Sequence, residues 1–111
     1  MDSINERIRA AVTPIVPICR QDFYGGEETT YCVFFVTEAP EGFGDGEPTG
    51  VIGRVSLHLF TPRGADTVEL RHRLRRAISA AEDFTAPEVE DASDNKDQIH
   101  IFSFEVLEVG W

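Results

Sequence analysis

Positive charge is scarce in this chain: nine arginines and a single lysine, Lys96, stand against 20 acidic residues, for a formal net charge of −10 over 111 residues. That balance excludes direct nucleic-acid binding as a main role, because phosphate contacts need clustered Lys and Arg. It also disfavours anionic membrane surfaces. Only two cysteines occur, Cys19 and Cys32, with no CxxC and no Cys/His ligand spacing around them. One bridge between them is possible, but two buried free thiols in a reducing cytosol fit better, since free Cys is commonly a small core residue. No apolar run approaches the roughly 18 residues of a spanning helix. The N-terminus carries Asp2 and Glu6 and no secretory pattern, so the chain is expected to be cytosolic when made.

What is present suffices for one folded domain over residues 1–111. Apolar residues make up 41% of the chain and eight of them are phenylalanines, enough for a core in a domain of this size. Ser3 and Glu6 have capping-box spacing, and Ile4, Ile8, Ala11, Val12 and Ile15 recur at helical period until Pro14 and Pro17 stop the helix. Residues 15–19 are apolar and proline-flanked, consistent with an edge strand, and Gly25-Gly26 marks a turn. Residues 29–37 form a strand apolar on both faces: Tyr31, Val33 and Phe35 on one, Cys32, Phe34 and Val36 on the other. Such a strand is expected to be central, with a helix on one side and a partner subunit on the other.

Pro40, Gly42, Gly44, Gly46 and Pro48 predict a long, mobile loop over residues 38–50. Strand periodicity returns over 51–60, with Val51, Gly53, Val55, Leu57 and Leu59 on one face and Arg54, Ser56 and His58 on the other. The two strands then pair as a hairpin. A second helix is expected near Asp66, with Leu70, Leu74, Ala77, Ile78 and Ala81 as its buried stripe. His72, Arg75 and Arg76 lie away from that stripe, Arg71 and Arg73 flank it, and Glu69 has the spacing to pair with Arg73. An acidic connection runs over 82–97, with 85–87 a candidate extended piece, and a last strand covers 98–109. The predicted fold is α+β: an antiparallel β-sheet with two helices packed on one face.

Chemistry-bearing patterns are sparse. His58 and His100 both fall on strands and would approach each other if those strands paired, but no ligand spacing supports a metal site. Ser56 and Ser103 lie in strands rather than in a nucleophile elbow. Gly42-Phe43-Gly44-Asp45-Gly46 lacks the Lys-Ser/Thr of a phosphate loop and is surrounded by acids. No catalytic, cofactor or metal residue is therefore assigned, and the chain is expected not to be an enzyme. The distinctive feature is the charge segregation, with Arg71, Arg73, Arg75 and Arg76 on one helix and acids filling 22–47 and 82–97. Arginine's planar fork suits bidentate contacts at interfaces, and complementary patches on one molecule are what head-to-tail rings require.

Residues 61–77, the 38–47 segment and the block Asp91-Ala92-Ser93-Asp94 followed by Gln98-Ile99-His100-Ile101-Phe102 together resemble small prophage-encoded proteins of the head–tail joining region of long-tailed bacteriophages, in the tail terminator or tail-completion class. The resemblance implies a small α+β fold, an oligomeric ring that is often hexameric, tail-tube and connector proteins as partners, and no cofactor or activity. It implies assembly in the host bacterial cytoplasm and residence in the virion. The subunit interface is then expected at Arg71, Arg73, Arg75 and Arg76, and at Phe43 and Asp45 of the 38–50 segment. An acidic inhibitor that imitates DNA and blocks a nuclease or restriction enzyme is the competing expectation from charge alone, although the four-arginine helix interrupts the acidic surface such a mimic needs.

Overall fold

The computed structural model describes residues 3–44 and 47–109, the side chains of 41–49 and 109 excepted. Its elements run α1 (Ile4–Val12), β1 (Cys19–Gln21), β2 (Tyr31–Gly44), β3 (Glu47–Pro62), α2 (Val68–Ala80), β4 (Glu88–Asp91) and β5 (Asp97–Val109). The fold is α+β, with one five-stranded sheet in the order β1-β2-β3-β5-β4. Every neighbouring pair is antiparallel except β1 with β2, which is parallel, so the sheet is mixed.

Local chemistry accounts for both helices. Ser3 is extended and its Oγ accepts the Glu6 N–H at 3.2 Å, which caps α1. Ile4, Ile8 and Val12, one turn apart, are its buried stripe. At α2 the cap position falls on Thr67, one residue later than expected; the Asp66 carboxylate still takes the Val68 N–H at 3.1 Å, while Thr67 Oγ1 accepts from Arg71 Nε at 3.0 Å. The Glu69–Arg73 pair does not form: among the described residues the ion pairs are Arg7–Asp83 and Arg54–Glu105.

Register decides what the sheet buries. Phe34, Leu57 and Phe102 are directly opposite one another across β2, β3 and β5, and Val36, Val55 and Phe104 form the next row. These residues join Ile4, Ile8 and Val12 of α1 and Leu74 and Ile78 of α2 in a single hydrophobic cluster. Gly53 belongs to the same side of β3. A Cβ there would meet Cδ1 at the tip of the Ile4 side chain, so the bare backbone leaves room for that side chain over the central strand.

Four expectations are corrected. The 38–50 segment is not a loop: β2 continues to Gly44 and β3 begins at Glu47, pairing through Glu41↔Gly50 and Phe43↔Pro48. Its prolines are tolerated because, among the described residues, each strand has an unpaired edge there. β1 reaches β2 only as far as Phe34, well before Pro40, and β5 begins to pair with β3 only at Gly50, past Pro48. Strand β1 starts at Cys19 rather than spanning 15–19, because Ile15 and Val16 are held in a turn by N–H bonds to Val12 O. It runs parallel to β2, and the nine residues between them easily cover the return path of a three-residue strand. The central strand is β3, not β2. Residues 85–87 precede rather than form the short strand, β4, although Phe84 makes an isolated bridge to Val106.

Cys19 and Cys32 are register partners across β1 and β2, both free and fully buried. Burial pushes the Cys19 thiol up to about 11 and that of Cys32 higher still, so both are protonated core residues.

At the far end of β5, Glu108 has its Oε2 buried without a hydrogen-bond partner and its carboxyl beside that of Glu38. Desolvation first, then the Glu38 carboxyl, raises its pKa above the ordinary 4.5. A carboxyl whose pKa rises on folding binds its proton more tightly in the native state, so ionising it at neutral pH costs stability, and that cost vanishes below the unfolded value. Glu108→Gln is expected to raise the melting temperature by a few degrees at pH 7. The difference from the parent should close below about pH 4.5, as a pair of melts at the two pH values will read out.

Candidate interaction surfaces

Helix α2 presents its arginines unequally. Arg73, Arg75 and Arg76 are exposed, and among the described residues none of them takes part in an ion pair or hydrogen bond. Arg71 is half-buried and spent within the domain, on Thr67 and beside the buried ring of His100. The outward charge of α2 is therefore carried by three arginines, with His72 also exposed among them.

The β2–β3 hairpin accounts for the shape of the molecule, 53 × 26 × 24 Å. A 16-residue strand at about 3.3 Å per residue spans that long axis. Past Gly50 the hairpin runs as two strands, with β5 pairing no further among the described residues. Phe43 sits in this two-stranded part opposite Pro48, and Asp45 lies outside the described residues. The acids of the 91–97 turn work locally. Asp91 accepts from the Ser93 N–H and hydroxyl, and Asp94 from the Lys96 and Asp97 N–H groups, which holds both carboxylates below their usual pKa.

The second face of the sheet is the largest feature that sequence periodicity only half revealed. One row crosses all five strands, Arg20–Val33–His58–Ile101–Glu90, and beside it stand Tyr31–Phe60–Ile99 and Phe35–Ser56–Ser103–Glu88. Apart from Val33 these residues lie outside the buried core; Phe35 is 41% exposed and Leu107, further along the same face, 42%. The aromatics brace one another. Tyr31 stacks on Phe60 at 4.7 Å between centroids, Tyr24 tilts against Tyr31 at 4.6 Å, and Phe35 meets the His58 ring edge-on at 5.1 Å. A concavity of about 490 Å³ opens beside them, floored by Phe35, Ser56 and Ser103 with Thr85 and Glu88 at its side.

His58 and His100 do not converge. Their strands pair, but His58 is opposite Ile101 and His100 opposite Leu59, which puts the two rings on opposite faces. His100 is instead a buried ring with Nδ1 unpartnered. The contact that was missed is Ser56 Oγ with His58 Nε2, 3.1 Å apart. Spacing of two along a strand already puts both on one face. The pair has a nucleophile–base contact, but among the described residues no carboxylate orients His58. The backbone of β3 is also paired on both sides by β2 and β5, so it offers no free N–H pair for an oxyanion. Partial burial lowers the His58 pKa, leaving a neutral ring within the aromatic face.

No protein-family model and no curated protein sequence matches this chain. Among solved structures, one that carries no functional name superposes with a TM-score of 0.58 at 14% identity, over 97% of this chain and 88% of that one. At that identity the likeness extends to the fold. No helix among the described residues is long and apolar enough to cross a membrane.

Proposed function

We propose that the chain is a structural subunit of a phage head–tail joint, of the tail terminator or tail-completion class, acting as an oligomeric ring. The observation that carries this reading is the set of three outward arginines on α2, unpaired among the described residues, in a chain whose net charge is −10. Arginines left without partners on so acidic a molecule find their counter-charges on a second copy. The complementary surface is offered by the projecting hairpin, which carries Glu38, Glu41 and Glu47. Two different patches that complement each other make a head-to-tail contact, and such contacts close into rings when the rotation permits. The remaining acidic surface would face passing DNA without holding it. Tail-tube and connector proteins are the partners, the host cytoplasm the place of assembly, and six subunits the favoured ring.

The purified chain, alone and with tail tubes, is to be examined by electron microscopy and mass measurement. Closed rings, free or capping tubes, are expected. A chain that never forms rings with tubes but captures a nuclease would instead be the acidic DNA mimic.

A further inference from the structure

We propose that the open face of the sheet is the interface of a face-to-face homodimer, in which a two-fold axis along the strands over His58 sets Arg20 of each copy against Glu90 of the other. The contact uses surfaces other than α2 and is independent of the ring. Its basis is the row Arg20–Val33–His58–Ile101–Glu90. An exposed cation stands at the β1 edge, an exposed anion at the β4 edge, and apolar side chains and a histidine lie between. With strands about 4.8 Å apart the two charges are roughly 19 Å from each other, too far to pair within one chain.

Charge complementarity selects the occupant and its orientation. Packing a second copy with its axis along the strands exchanges the two edges, so each Arg20 meets a partner Glu90, with Glu88 beside it on the same strand. An axis across the strands would lay Arg20 on Arg20 and Glu90 on Glu90, and like charges brought together at an interface cost several kcal/mol. The axis along the strands also matches how sheets stack, with strand directions nearly aligned and layers about 10 Å apart. Between the charged edges the contact is apolar and aromatic. Phe60 and His58 meet their own counterparts, Tyr31 meets Ile99 of the other copy, Ile101 meets Val33 and Phe35 meets Ser103. The mutual packing of Tyr31, Phe60, Phe35 and His58 fixes their rotamers before contact, which lowers the ordering cost of association. Arg54 and Glu105 on the same face are already paired with each other at 3.3 Å and bring no unmatched charge.

The test is a charge exchange read by sedimentation, made in the Arg75→Glu/Arg76→Glu chain so that ring contacts do not contribute. Arg20→Glu alone and Glu90→Arg alone each place two like-charge contacts in the dimer, and each is expected to weaken it by about a hundredfold. An equimolar mixture of the two variants is expected to regain the dimer, because residue 20 of each copy again faces an opposite charge at residue 90 of the other. Both sites are exposed, so thermal melts of the variants should match the parent and exclude misfolding. A parent chain that stays monomeric at its highest soluble concentration, single variants that dimerise normally, or a mixture that stays monomeric would each overturn the proposal. Absence of rings in the chain with Arg75 and Arg76 intact, while this dimer forms, would count against the head–tail function alone.

Discussion

Arg75→Glu together with Arg76→Glu is expected to abolish ring assembly while leaving the thermal melt within about 4 °C of the parent. Both side chains are exposed, and both lie away from the Leu74 and Ile78 stripe that anchors α2 in the core. Neither makes a hydrogen bond or ion pair among the described residues, so reversal breaks nothing within the subunit. Surface changes of that kind usually move stability by less than about 0.5 kcal/mol. At a head-to-tail contact the same change sets two new anions against an acidic hairpin in every interface of the ring. The repulsion costs several kcal/mol per contact. A melt and an electron-microscopy assay on one protein sample decide the matter. Unchanged rings would mean that the arginines are merely solvated, and the ring reading would lose its main support.

The largest stability loss is expected at the opposite extreme of burial. Phe102→Ala removes a fully buried ring from the row Phe34–Leu57–Phe102–Val89, at the middle of the cluster that both helices share with the sheet. Truncating a buried Phe costs about 3–5 kcal/mol, transfer and cavity together. That is a large part of the roughly 5–15 kcal/mol that holds a domain folded, and it corresponds to a fall of about 12–20 °C in melting temperature. Phe35→Ala is the matched control. Phe35 is the sequence neighbour of the buried Phe34 but projects to the other face, 41% exposed. Its loss should cost under about 1 kcal/mol in the monomer, and instead weaken the face-to-face dimer. Equal losses at the two positions would contradict the assignment of the faces.

The contrast between Phe34 and Phe35 was legible in the residues themselves. Strand side chains alternate strictly, so the two sides of β2, β3 and β5 followed from spacing alone, as did the buried stripes Ile4/Ile8/Val12 and Leu74/Ile78. The Ser3 cap was equally readable, being a bond between residues a few positions apart; at α2 the cap position moved on to Thr67, although Asp66 still takes the Val68 N–H. The 38–50 segment differs from the expected loop because Pro and Gly report local preference, whereas its conformation is set by pairing between two strands whose outer edges are unpaired there among the described residues.

The candidate surfaces divide along the same line. That His72, Arg75 and Arg76 point outward followed from helical period, which placed Arg71 and Arg73 alike beside the buried stripe. That Arg71 is instead spent on Thr67, that His58 and His100 face away from each other, and that Arg20 and Glu90 cap the two ends of one row did not. Each of these depends on strand order and on which residue of one strand sits opposite which residue of another. Periodicity assigns a side chain to a face of its own element. Only the long-range hydrogen-bond ladder, which links Arg20 to Glu90 through β2, β3 and β5, aligns those faces into one surface.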